Sequence, residues 1–158
     1  MTNPATTGMT GAREILARCR SVMVIDWPSR DVPASLAAAG YTVTVKGGPG
    51  PEDYTAWEAA GGEVVTRHLG HAPEHIDLVY CHRPFGELPS IIEMAQRLGA
   101  TAIWRQSGLN STGAKTPDGC WLPPGESQQG RDLAEAADLS YIDDVYIAYA
   151  VRGLRRPA

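Results

Sequence analysis

The sequence predicts an α/β domain, a three-layer Rossmann-like fold built on a mainly parallel sheet of five or six strands in the order 3-2-1-4-5. Three observations lead there. In residues 76–105 a strand, a helix and a second strand follow one another within about thirty residues. Ile76-Asp77-Leu78-Val79-Tyr80-Cys81 is a short apolar run; Leu88, Ile91, Ile92, Ala95 and Leu98 recur at helical spacing; and Ala100-Thr101-Ala102-Ile103-Trp104 is a second run. Strands joined by one crossover helix pair in parallel, with a right-handed connection, and need cover on both faces. Earlier in the chain, Ser21-Val22-Met23-Val24-Ile25 and Tyr41-Thr42-Val43-Thr44-Val45 bracket a helical segment in the same way. Finally, 158 residues with 43% hydrophobic and 20% charged side chains fit one domain whose core requires no metal or disulfide staple.

Taken in order, residues 1–11 read as a flexible N-terminus and residues 12–151 as the domain. Residues 152–158 form a short basic tail, which reads as a solvated end. Residues 13–19 make a short helix with Ile15, Leu16 and Cys19 on one side. Residues 21–25 are the first strand, residues 32–39 a helix ended by Gly40, and residues 41–45 the second strand, rich in β-branched residues. The Gly-rich stretches at residues 47–51 and 61–62 bracket a short helical piece over residues 52–59. Residues 63–66 form a weaker third strand, and residues 68–75 a loop into the central unit. Pro89 suits the first turn of the helix there and Gly99 its end. Residues 110–129, rich in Gly, Pro, Ser and Thr, predict an irregular excursion over the carboxyl edge of the sheet, of a length typical of lids and binding loops. Within it Trp121 and Leu122 either close over a ligand or pack on the body of the protein. Residues 131–137 make the last helix and residues 139–142 the last strand. Residues 145–151 fit a strand or a helix equally well.

The totals exclude several classes. A formal net charge of -4 argues against nucleic acid as the main partner, since that binding rests on neutralising phosphates. No apolar run reaches the ~18 residues that span a bilayer, and the polar start lacks the regions of a secretory signal. The expected location is therefore cytoplasmic, with no membrane partner. Three cysteines without paired spacing suggest reduced thiols rather than a disulfide framework or a zinc knuckle.

In open parallel sheets ligands bind at the carboxyl ends of the strands, so Cys81-His82-Arg83-Pro84 and Arg105-Gln106-Ser107-Gly108 are the first loops to consider. Together with Ala12-Arg13-Glu14-Ile15-Leu16, Gly40-Tyr41-Thr42-Val43, Ala72-Pro73-Glu74-His75-Ile76-Asp77-Leu78-Val79 and Leu98-Gly99-Ala100-Thr101-Ala102-Ile103-Trp104, they resemble the small single-domain CoA-binding proteins of Rossmann type, similar to the nucleotide-binding domain of succinyl-CoA synthetase. The resemblance runs from about Ala12 to about Val145 in the same order. It implies a sheet whose first loop, second strand end and fourth strand end hold the CoA nucleotide. The cofactor it implies is CoA or an acyl-CoA. The matching positions are Arg83, Pro84, Trp104, Gln106 and Gly108. Where the family has a glycine after its first strand this chain has Asp26, then Trp27, Pro28 and Ser29, with about six loop residues fewer, so the phosphate loop is divergent and shortened. The family's Asn-Pro after the second strand is replaced by Lys46-Gly47, and of its Asp-Arg-Cys after the last strand only Asp143 is kept.

Several side chains are candidates for chemistry. Asp26, Trp27, Ser29, Lys46, Arg83, Pro84, Gln106 and Gly108 are the expected ligand-binding set. Arg83 either holds a phosphate or carboxylate bidentately or forms a salt bridge to a neighbouring helix. Asp26 either caps and fixes its loop, binds a ribose, metal or cation, or serves as base or nucleophile; the haloacid-dehalogenase pattern needs a second aspartate where Pro28 stands. Cys81 is a catalytic candidate only if His82 or Arg83 stabilises its thiolate, and is otherwise a buried strand cysteine. His68, His71, His75 and His82 lie close in sequence with Cys81 nearby, which raises a metal site as the lesser alternative to solvated loop histidines. The function expected is binding of CoA, acyl-CoA or a related nucleotide without catalysis. The alternatives are a small enzyme with a pocket rebuilt around Asp26, and a protein-interaction subunit with a vestigial nucleotide pocket, either as a homodimer or with another protein.

Overall fold

The computed structural model describes residues 8–26, 30–48, 50, 53–152 and 154. The expected flexibility of residues 1–7 and the end of the basic tail, residues 155–158, lie outside the described residues. The elements run α1 (Met9–Arg18), β1 (Ser21–Ile25), α2 (Asp31–Ala38), β2 (Thr42–Lys46), β3 (Tyr54–Ala60), β4 (Glu63–His68), β5 (Leu78–Cys81), α3 (Leu88–Arg97), β6 (Ala102–Arg105), α4 (Glu126–Ala136), β7 (Ser140–Ile142) and α5 (Ile147–Val151), with a 3-10 turn at Phe85–Glu87 before α3. One sheet has the order β4-β3-β2-β1-β5-β6-β7. β2, β1, β5, β6 and β7 pair in parallel, and β3 and β4 are antiparallel.

Successive strand residues point to opposite faces, and the two faces carry two cores. Val22, Val24, Leu78, Tyr80, Ala102 and Trp104 face α1, α2 and α5. Met23, Ile25, Val79, Cys81 and Ile103 face α3 and α4. All of these strand residues are at most 7% exposed, as the double cover of a parallel sheet demands. Trp104 anchors the first core by donating its indole N–H to the Val145 carbonyl at 2.8 Å. Asp77 ties the N-terminal ends of β1 and β5 together: its Oδ2 accepts the backbone N–H groups of Arg20 (2.8 Å) and Ser21 (3.1 Å).

Three expectations are corrected, and one left open is decided. The helical piece at residues 52–59 is strand β3, half of a hairpin with β4, and the sheet therefore has seven strands. The signal lay in Gly61-Gly62, both at positive φ (61° and 84°), which form the two-residue turn that matches strand twist. Glu52 lies outside the described residues. The helix expected at 131–137 begins at Glu126, so the irregular excursion ends at Gly125. Gly130 looks like a helix breaker, yet it sits inside α4 where the helix approaches Tyr141 of β7. α1 begins at Met9 rather than at Arg13, within the segment expected to be flexible. Residues 145–151, undecided by periodicity, give helix α5, whose backbone carbonyl at Ala150 accepts Arg13 Nε–H at 3.3 Å.

The packing at Gly130 generates a prediction. A methyl group there would lie 2.8 Å from Tyr141 Cζ and closer still to its hydroxyl. The gain in helix propensity, about 1 kcal/mol, is smaller than the cost of overpacking, about 1–3 kcal/mol. Gly130→Ala is therefore expected to lower the thermal denaturation midpoint by a few degrees, against the rise that the same change gives on an exposed helix.

Candidate functional site

The parallel register sets the geometry of the carboxyl edge. Ile25 pairs with Lys46 on one side and with Cys81 on the other, and Cys81 pairs with Arg105. The loops beginning at Asp26, Gly47, His82 and Gln106 therefore leave the sheet at one level. β1 connects to β2 on one side while β5 lies on its other side, so the loops after β1 and β5 diverge and open a crevice between them.

Arg83 and Asp26 meet in that crevice. Arg83 Nη1 donates to Asp26 Oδ2, Nη2 donates to Glu87 Oε2 at 2.7 Å, and Nε lies 3.2 Å from both Glu87 oxygens. The hydrogen bonds that Arg83 donates to Glu87 and then to Asp26 raise its pKa above the ordinary value. The two side chains of the Arg83–Asp26 pair are 36% and 50% exposed, so the pair exchanges with solvent. Asp26 has φ +54°, in the region that favours glycine, at the position where the family resemblance places its glycine. Aspartate is among the few residues that adopt this conformation readily. The left-handed turn is kept while the side chain is added.

Two clefts flank this pair, and both are lined by Asp26 and Arg83. The first, about 550 Å³, runs between the end of β2 and the side of α3. Lys46, Gly47 and Gly48 form one wall, and Ser90, Met94 and Arg97 form the other. Lys46 Nζ donates to the Gly48 carbonyl at 2.7 Å, which folds the lysine over its own loop. The second, about 440 Å³, lies over β5 and β6 and is lined by His82, Gln106, Ser107, Leu109, Leu122 and Pro123 among others.

The second cleft has a rigid wall. Gln106, 1% exposed, donates its amide N–H to the Gly119 carbonyl and approaches Cys120 Sγ at 2.9 Å, so a strand-end side chain ties down the excursion. His82 Nδ1 lies 2.9 Å from the Gln106 carbonyl, so that nitrogen carries the proton. Gly108 (φ +69°) is needed for space as well as for conformation, since a Cβ there would fall 2.8 Å from His82 Cε1. Arg105, 6% exposed, pairs with Glu126 at 2.6 Å and stacks 5.1 Å from the Phe85 ring. Leu122 lines the cleft, whereas Trp121 remains 38% exposed.

Of the expected binding residues, Asp26, Lys46, Arg83, Pro84 and Gln106 line these clefts, and Gly108 supports His82 from behind. Trp27 and Ser29 lie outside the described residues. Arg97, Glu87 and Glu126 were missed, and Arg105 was named only as the first residue of its loop, outside the expected binding set. Arg97 recurs with Ser90 and Met94 at helical spacing on α3, and Glu87 precedes them at the end of the 3-10 turn, a mostly polar stripe that reads as an ordinary solvated face. Arg105 ends an apolar run, and its pairing with Glu126 spans the excursion.

The candidate nucleophile Cys81 is wholly buried, and burial pushes its thiol up to about 12, against the smaller opposing effect of Arg105. Such a thiol is protonated and inert at neutral pH. The histidines are spread apart in function: His75 Nε2 contacts Asp77 Oδ1 at 2.7 Å, His71 Nδ1 contacts the Ala72 carbonyl at 3.0 Å, His68 ends β4, and His82 holds Gln106. Among the described residues no three His, Cys, Asp or Glu side chains are placed to share a metal. Among the same residues no helix is long and apolar enough to cross a membrane.

Comparison with known proteins bears on the same edge. A family profile described as a CoA binding domain matches residues 25–149. No curated protein sequence matches significantly. Among solved structures, a hypothetical protein from Pyrococcus horikoshii OT3 aligns with TM-score 0.57 and 16% identity, over 98% of this chain and 96% of its own. A protein from Thermus thermophilus aligns with TM-score 0.55 and 19% identity, over 94% and 99%. Prb, the PH1109 protein redesigned for binding, gives 0.53 and 18%, over 93% and 92%. These likenesses establish the Rossmann-like fold.

Two outcomes follow from the site. Alkylation of the native protein with iodoacetamide at neutral pH, read by mass spectrometry, is expected to leave Cys81 unmodified until denaturant is added. Glu126→Gln leaves the buried Arg105 guanidinium without its counter-charge, and is expected to cost on the order of 3 kcal/mol in a urea titration.

Proposed function

We propose that this chain, which belongs to the CoA-binding-domain family, binds CoA or an acyl-CoA along the carboxyl edge of its sheet and carries out no catalysis of its own. The observation that carries the proposal is the pair of adjoining clefts with Arg83 and Asp26 as their shared wall. CoA joins a multiply anionic nucleotide to a long neutral arm, and the clefts differ in the same sense. The first sets Lys46, Arg83 and Arg97 against Asp26 and Glu87, an excess of cation that suits phosphate. The second mixes Leu109, Leu122 and Pro123 with the polar groups of His82 and Ser107, which suits an arm of methylene and amide groups ending in a thiol or acyl group.

Arg83 is suited to the exchange that binding requires. Glu87 holds its Nε and Nη2 edge, while Nη1 points to Asp26. An incoming phosphate takes the place of Asp26, whose half-exposed carboxylate turns to solvent. Until it does so, each like-charge contact costs up to roughly 4 kcal/mol at ~4 Å and an effective dielectric constant of 20. On this reading Asp26 weakens the site and tunes its affinity. The absence of catalysis is supported by the state of the two candidates: Asp26 is ion-paired and Cys81 is a buried thiol of raised pKa.

Thermal shift with CoA, acetyl-CoA, ATP and NAD tests the proposal. CoA species are expected to raise the denaturation midpoint by mass action, and ATP and NAD to do so less. Arg83→Ala is expected to weaken CoA binding at least tenfold, since a charge-assisted contact of about 1.5–3 kcal/mol is lost. Asp26→Asn keeps a residue that tolerates positive φ and removes the competing charge, so it should tighten CoA binding severalfold. If Asp26 instead holds a ligand or acts as a base, the same substitution weakens binding. Absence of any shift with CoA or acetyl-CoA in folded protein overturns the proposal.

A further inference from the structure

We propose that β4 is a self-pairing edge, through which two copies of the chain join into one sheet that is continuous across both. β4 ends the sheet, and its residues Glu63, Val65, Thr66, Arg67 and His68 are exposed. Val65, at 44%, is the most exposed of the large hydrophobic residues described. The adjoining end of β3, Glu58–Ala60, is exposed as well, and in the distal half of this hairpin only Val64 packs, partly buried, against the core. A two-stranded ribbon of that kind is marginal by itself, and an uncovered edge is a template for another strand. Two of the common defences are missing, since β4 has no proline and no lysine, and among the described residues no strand of the same chain pairs with its outer edge; the charges it does carry, Glu63 and Arg67, are of opposite sign.

The register identifies the second copy as the occupant. Leu69 N–H donates to the Tyr54 carbonyl at 3.0 Å, and Arg67, Val65 and Glu63 follow at the same parity opposite Ala56, Glu58 and Ala60. These residues therefore spend their backbone groups on β3, and Val64 and Thr66 point theirs outward. In an antiparallel pairing of β4 with itself that sets Val64 against Thr66 of the second copy, these outward groups form four hydrogen bonds. The intervening pairs are then Val65 with Val65 at the twofold axis and Glu63 with Arg67 on either side. Those are non-hydrogen-bonded pairs, where opposing side chains come closest. Arg67 already lies 3.0 Å from Glu58 of its own hairpin, so it would be held between two carboxylates. Shifting the register by two residues sets Val65 against Arg67 and removes the charge match. The strand is thus self-complementary in backbone, apolar contact and charge in one register only, the requirement of a closed twofold interface.

Sedimentation velocity across a concentration series, with circular dichroism to check folding, tests this. The wild type is expected to form a dimer as concentration rises. Glu63→Arg and Arg67→Glu are each expected to weaken the dimer at least severalfold, and the doubly reversed chain to restore it. Thr66→Pro removes an outward N–H without touching the hairpin, and is expected to give a folded monomer. As a second readout, amide hydrogen exchange of Val64 and Thr66 is expected to slow with concentration while that of Val65 stays unchanged. A wild type that stays monomeric at every concentration, a dimer indifferent to the single reversals, or a double reversal that fails to restore it overturns the proposal.

Discussion

β1 is hydrogen-bonded in parallel to β2 on one side and to β5 on the other, and the chain must leave its carboxyl end toward β2 while the loop after β5 leaves the other way. This constraint on connectivity comes before any particular side chain. Because the strands are in register, with Ile25 level with both Lys46 and Cys81, the divergence happens at one height and leaves a single crevice. The residue after each strand then faces the same space whatever its identity. Asp26, Gly47 and His82 are there because Ile25, Lys46 and Cys81 are the last paired residues.

Two arginines at this edge show how burial decides what a charge can do. Arg105 is 6% exposed, paired with Glu126 and packed on Phe85, so separating it from its partner would strand a charge away from water. It fixes the start of α4 against the end of β6. Arg83 is about one-third exposed and its partners Asp26 and Glu87 are more so, and water can take over from either carboxylate at little cost. The same residue type is a fixture in one place and an exchangeable contact in the other. Only the second is suited to meeting an anion from solution.

The parallel part of the fold was legible because each strand there is a short apolar run ended by Gly, Pro or a polar residue, and each helix shows its spacing. Leu88, Ile91, Ile92 and Ala95 are all buried on α3, as that spacing requires. The hairpin was not legible because Tyr54 to Ala60 has no clean alternation: Ala56 and Trp57, neighbours in sequence, are both buried on opposite faces. The start of α4 was hidden by Gly130, a residue chosen for contact with Tyr141 rather than for helix propensity. At the site, the residues that follow strands could be read from position alone. Arg97 and Glu87 could not, because their role depends on which side of α3 is left uncovered, a property of the neighbouring strands.

That uncovered side has a structural origin. Between β2 and β5 a doubly wound chain would ordinarily place another strand and a crossover helix; here the chain makes the antiparallel hairpin β3–β4 and returns through residues 69–77 without a helix. Leu69 and Tyr54 close part of the core on this face, and among the described residues α3 and α4 are the helices that contribute to it. The flank of α3 carrying Ser90, Met94 and Arg97 therefore stays open and becomes one wall of the first cleft. The same substitution of hairpin for crossover unit leaves β4 as an edge strand that is exposed at every residue but Val64. A single topological choice thus produces both the recess along α3 and the exposed edge of the sheet. It also keeps them apart: the recess begins at the carboxyl end of β2, whereas Val65 and the Gly61-Gly62 turn lie toward the opposite end of the hairpin, so pairing at the edge leaves the crevice at Arg83 open.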